Sequence, residues 1–96
     1  MKTITLNILA EDIRTTNYYN SFGCAITLSL RRANLNAKEI GGEIQETLSY
    51  ESIKTPIDLD EKVRAMYKSV CAEIGQDLEA IEPQDFTYSL EIPDDW

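Results

Sequence analysis

Apolar and polar residues alternate at both ends of this chain, and that alternation restricts its fold more than any other feature. Near the N-terminus Ile4, Leu6 and Ile8 interleave with Thr3, Thr5 and Asn7; near the C-terminus Phe86, Tyr88, Leu90 and Ile92 interleave with Thr87, Ser89 and Glu91. Successive side chains of a strand point to opposite faces, so each segment predicts a strand with one buried and one polar face. A longer period lies between them. From Asp58 or Leu59 to Ile74, the apolar residues Leu59, Val63, Met66, Tyr67, Val70 and Ile74 recur at three- and four-residue steps, with Asp60, Glu61, Lys62, Arg64, Lys68 and Glu73 in between. This spacing predicts an amphipathic helix. Asp58 with Glu61 reads as a capping box, Pro56 lies just upstream, and Gly75 reads as the C-terminal stop.

The middle of the chain is less uniform. Between Cys24 and Ala33, Ile26, Leu28 and Leu30 alternate as in a strand, while Cys24, Leu28 and Arg31, or Ile26, Leu30 and Ala33, share helical faces. A helix is the first reading, with Asn20 or Ser21 as N-cap, Arg31-Arg32 at the negative end of the dipole, and Asn34 or Asn36 as terminator. A strand is the second. Ala37–Ile40 and Ile44–Glu51 predict two strands joined at Gly41-Gly42, because a tight hairpin needs positive φ. Glu11 to Gly23 predicts a long polar loop carrying Tyr18, Tyr19 and Phe22. The order β-α-β-β-α-β predicts an α+β fold, a two-layer ferredoxin-like sandwich in which two helices cover one face of a four-stranded, mostly antiparallel sheet. Its exposed face would carry Thr3, Thr5, Asn7, Thr87, Ser89 and Glu91, and its core Ile4, Leu6, Ile8, Leu28, Val63, Met66, Val70, Phe86, Tyr88 and Leu90.

Ninety-six residues predict one small acidic domain spanning 1–96. Seventeen Asp and Glu against nine Lys and Arg leave a net charge of -8, which repels a bare nucleic-acid backbone and argues against direct nucleic-acid binding. The chain has no histidine, so the commonest general base near neutral pH and the commonest zinc ligand are missing. Cys24 and Cys71 form no CxxC pair and read as buried free thiols in a reducing compartment, the cytoplasm. Met1-Lys2 followed by an alternating segment and Glu11-Asp12 reads as a strand rather than a signal peptide, and no apolar run approaches the ~18 residues of a membrane span.

The run Cys24 to Ala33, preceded by a short strand and by Asp12-Ile13 in a loop, resembles a helix that opens on Cys-Pro and closes on a basic residue, Arg and Ala in small uncharacterised phage and prophage proteins. In such proteins a second helix is followed by an apolar residue, a Pro and a Phe opening the last strand, similar to Ile81, Pro83 and Phe86. This chain has Ala25 in place of that first Pro, and Gln84-Asp85 before Phe86. The resemblance implies a phage or mobile-element context and no catalytic residues.

Each chemically suggestive group has a plainer reading. Asp58, Asp60 and Glu61 crowd three carboxylates into four residues, but acidic residues are favoured in the first turn of a helix, and no EF-hand spacing follows. No metal or cofactor is expected. Cys24 near a helix start lacks a histidine base, and Gly41-Gly42 lacks the Lys-Ser/Thr of a phosphate loop. The charge layout says more. Residues 1–68 hold nine acidic and nine basic residues, whereas residues 69–96 hold eight acidic residues and no basic one. Such a stretch either keeps the chain soluble or steers a basic partner. The expected function is a non-enzymatic acidic protein-binding module that contacts a basic protein through Glu73, Asp77, Glu79, Glu82, Asp85 and Glu91, aided by Tyr18, Tyr19 and Phe22. Its most concrete form is an anti-CRISPR-like inhibitor of a nucleic-acid-binding host protein. The alternatives are a small metal- or Cys-dependent enzyme and an accessory homo-oligomeric structural protein.

Overall fold

Along the chain the elements are β1 (Lys2–Ile8), α1 (Ala10–Thr15), α2 (Ala25–Arg32), β2 (Ala37–Ile40), β3 (Glu43–Glu46), β4 (Ser52–Lys54), α3 (Ile57–Lys68) and β5 (Phe86–Ile92) in the computed structural model, which describes residues 1–20 and 23–96. The two alternating termini pair with each other. β1 and β5 run antiparallel with Lys2 opposite Ile92 and Ile8 opposite Phe86, so Leu6, Ile8, Leu90 and Ile92 face inward together. Thr3, Thr5, Asn7, Thr87, Ser89 and Glu91 form the exposed face, as their alternation requires.

The fold is α+β, with antiparallel pairing throughout the described residues, but the strands divide between two sheets. β1 and β5 make one; β2, β3 and β4 make the other. The expected single four-stranded ferredoxin-like sheet is therefore not what the register forms. The second sheet exists because the segment read as one strand from Ile44 to Glu51 folds back on itself. Glu46 accepts hydrogen bonds from the Ser49 amide (2.6 Å) and the Ser49 hydroxyl (2.7 Å), closing a turn that puts Tyr50 at φ 61° and returns the chain as β4. Leu48 and Tyr50 are left exposed instead of sharing a face with Ile44. The turn at Gly41-Gly42 forms as expected, with φ of 59° and 84°.

Helix α2 packs against both β1 and β2 and so bridges the two sheets. Its first amide, on Ala25, donates to the hydroxyl of Tyr67 in α3 (2.9 Å); of the two expected caps, Ser21 lies outside the described residues. Asn34, at φ 62°, ends this segment in the left-handed conformation. Tyr67 is fully buried, and its hydroxyl also meets the Thr16 hydroxyl at 2.7 Å.

Three further departures concern where helices begin and end. Residues 10–15, expected to be loop, form α1 around the buried Ile13, with Asp85 accepting the Ala10 amide at 2.8 Å. Helix α3 begins at Ile57, where Asp58 makes no N-cap bond. It ends at Lys68 rather than Ile74, because Ser69 turns its hydroxyl back on the Met66 carbonyl (2.7 Å) and Lys68 reaches the Leu78 carbonyl. Gly75 then reverses the chain at φ 66°, where a Cβ would lie 3.0 Å from the Arg64 carbonyl oxygen. Ile74 is buried by this reversal, whereas Val70, expected in the core, is 49% exposed and Cys71 is an exposed free thiol. Ile4, Leu28, Phe86 and Tyr88 are only partly buried.

Candidate partner-binding surface

The acidic residues expected to contact a partner lie mostly on the connector between α3 and β5. This segment runs back along α3: the Ile81 amide donates to the Ala65 carbonyl (3.1 Å), and the Arg14 guanidinium approaches the Pro83 carbonyl (3.5 Å). Glu73, Glu79 and Glu82 are exposed on it and make no ion pair among the described residues. Asp77 and Asp85 are exposed too but occupied, Asp77 by Arg64 (3.2 Å) and Asp85 by the amide that opens α1. Glu91 is placed elsewhere. Six residues along an extended strand separate it from Asp85 by about 20 Å, more than twice the Debye length of about 8 Å at physiological salt. It belongs with Asp94 and Asp95 at the far end, where Asp94 pairs with the N-terminal amine at 3.2 Å. The acidic third is thus two patches.

Trp96 is tied down rather than frayed. Its backbone oxygen accepts from Lys2, and its indole N–H reaches Glu51 at 3.4 Å.

Of the three aromatic residues in the expected interface loop, Phe22 lies outside the described residues. Tyr18 is half-buried with its ring edge against Tyr67 (centroids 5.7 Å apart), whereas Tyr19 is 72% exposed. The Tyr18 hydroxyl donates to Asp60, and Arg64 clamps the other oxygen of that carboxylate at 3.0 Å while holding Asp77 with its second arm. A chain of hydrogen bonds, Tyr18–Asp60–Arg64–Asp77, therefore links the aromatic loop to the acidic connector. Burial pushes the Tyr18 hydroxyl well above its ordinary value, and the Asp60 carboxylate beside it pushes the same way, so Tyr18 stays a neutral donor.

Tyr18 and Tyr19 also wall a cleft of about 180 Å³ completed by Glu39, Ile40, Gly41 and Gly42. Glu39 was not singled out by sequence. The expected apolar residue of that strand end, Ile40, faces out, and Glu39 takes the inward position beside Ala37. Its Oε2 accepts from the Gly42 amide and the Thr55 hydroxyl, both at 3.0 Å. Burial raises its pKa above the ordinary 4.5, against the opposing pull of those two hydrogen bonds.

The groups weighed for chemistry are dispersed. Asp58 accepts from the Leu59 amide (3.0 Å) and the Tyr88 hydroxyl (2.8 Å), and Asp60 turns away to Tyr18 and Arg64. Burial, with help from Asp58, pushes Tyr88 up to about 12. No group of three His, Cys, Asp or Glu side chains among the described residues is placed to hold a metal ion. Cys24 is buried with its sulfur 3.4 Å from the Thr27 hydroxyl. No helix among the described residues is long and apolar enough to cross a membrane. No family model, curated protein or solved structure matches this chain.

Proposed function

We propose that this chain is a non-enzymatic binding module that docks a basic protein against its acidic connector, with the Tyr18–Tyr19 loop at the edge of the contact. The observation that carries this reading is the unbalanced charge of the connector. Glu73, Glu79 and Glu82 face solvent and meet no cation among the described residues, so their field extends outward to a partner instead of being spent inside the fold. The Asp60–Arg64–Asp77 clamp holds the connector beside the aromatic loop, so the two contact a partner as one surface. A phage-encoded inhibitor of a nucleic-acid-binding host protein, met in the host cytoplasm, is the form supported by the resemblance of Cys24–Ala33 to phage proteins and by carboxylates standing where phosphates would stand.

The test is charge reversal on a partner captured from host lysate. Asp85 and Glu46 are unsuitable sites, since one caps α1 and the other closes a turn. The triple variant E73K/E79K/E82K is expected to weaken binding by about tenfold or more, while E91K, about 20 Å along β5 from Asp85, changes it by less than about twofold. Equal affinities for wild type and triple variant, or a partner acidic at its contact surface, would sink the proposal.

A further inference from the structure

Glu39 sits in an unusual electrostatic position. It is 3% exposed, yet its carboxylate meets no cation among the described residues. Both internal hydrogen bonds go to one oxygen, Oε2. Oε1 accepts none among the described residues, and since no sealed side-chain oxygen lacks a partner among them, Oε1 keeps some access to solvent, with Glu39 part of the cleft lining. The walls are aromatic. The rings of Tyr18 and Tyr19 stand 5.4 Å apart at 80° to each other, forming two sides of a box, and Tyr18 is fixed in place by Asp60 and by Tyr67. Gly41 and Gly42 bring no side chain into the remaining side, and a Cβ at either would touch nothing within 4 Å. A nearly buried carboxylate is costly unless paired, and a cation within about 6 Å of an aromatic face is attracted by the ring quadrupole.

We propose that this cleft receives the ammonium group of a lysine side chain from the partner protein, with Glu39 Oε1 as its counter-ion and Tyr18 and Tyr19 as its walls. The proposal rests on the reading that this chain docks a basic protein, and it names where one side chain of that protein inserts. Lysine fits better than arginine for a geometric reason. A guanidinium is held best by both oxygens of a carboxylate, and Oε2 of Glu39 is already committed to Gly42 and Thr55. An ammonium is a point charge on a slender apolar stem. It needs one oxygen and ring faces, and the exposed Ile40 at the cleft edge suits the stem.

The probe is Nα-acetyl-L-lysine methylamide, titrated into the ¹⁵N-labelled full chain by NMR. The Gly41 and Gly42 amides and the ring protons of Tyr18 and Tyr19 are expected to shift with millimolar saturation, while the norleucine analogue, which has the stem without the charge, leaves them in place. E39Q, which keeps an acceptor for Gly42 and Thr55, is expected to weaken the lysine probe by about tenfold, and Y19A, at an exposed position, by about two- to fivefold. E73K/E79K/E82K, outside the cleft, is expected to leave this probe unaffected. Tighter binding of the arginine analogue, equal shifts from norleucine, or an unchanged E39Q would overturn the assignment. Hexalysine separates this failure from that of the broader reading. Salt-sensitive shifts at Glu79 and Glu82 with a silent Gly41-Gly42 turn would overturn the cleft proposal and support the acidic-surface reading, whereas lysine in the cleft of a chain whose partner ignores the connector reversals would do the opposite.

Discussion

At the scale of single residues, Glu39 and Val70 were the hardest positions to read, for opposite reasons. Glu39 is a charged residue drawn inward because Thr55 and Gly42 hold one of its oxygens, and Val70 is an apolar residue left outside because α3 stops two residues earlier. Periodicity assigns faces from hydrophobicity alone, so it put Val70 in the core and gave no signal for Glu39. The energetic consequence is testable. Leu6→Ala, at a fully buried position, should cost about 2 to 5 kcal/mol in chemical denaturation, whereas Val70→Ala should change stability by no more than about 0.5 kcal/mol. Glu39 sets a pH dependence. Its folded pKa is raised above 4.5, so between 4.5 and the folded value the native state binds more protons than the unfolded state, and this group's contribution to stability falls as pH rises through that window. Glu39→Gln should therefore raise the melting temperature at pH 7, with the gain shrinking as pH is lowered toward 4.5. A melting temperature at pH 7 below that of the wild type would contradict this account of the buried carboxylate.

At the scale of elements, the segments with long unbroken patterns were legible. β1, β5 and the hairpin at Gly41-Gly42 follow from alternation and the φ requirement of the turn, and of the two readings of Cys24 to Ala33 the helix is the one that forms. What escaped were the elements set by particular side-chain bonds, near or far in sequence: the first amide of α1 is held by Asp85, 75 residues away, and the turn before β4 depends on the carboxylate of Glu46. Tyr50 shows how strongly that turn is imposed. It is 76% exposed and held at φ 61°, a conformation that costs a residue with a Cβ about 1 kcal/mol or more. Tyr50→Gly removes that strain and little packing, so it should stabilise the chain by up to about 1 kcal/mol, less the entropy that glycine gains when unfolded. A loss of stability on this substitution would mean that the Tyr50 ring contributes packing its exposure does not suggest.

At the scale of the whole molecule, the charge imbalance was readable from composition, but its division was not. The length of β5 carries Glu91, Asp94 and Asp95 away from the connector, and Arg64 and the first turn of α1 draw off Asp77 and Asp85. On the proposed reading the surface left to steer a partner is Glu73, Glu79 and Glu82; no sequence pattern announced the cleft with its buried carboxylate, Glu39. Steering of this kind acts on encounter more than on residence. The most direct measurement is the association rate of the captured partner with wild type and with E73K/E79K/E82K as salt is raised from roughly 50 to 300 mM, over which the Debye length falls about 2.5-fold, from roughly 14 to 6 Å. The wild-type association rate should fall steeply with salt while its dissociation rate changes little, and the triple variant should start lower and respond weakly. Parallel salt dependences for the two proteins would contradict the claim that the acidic connector guides a basic partner.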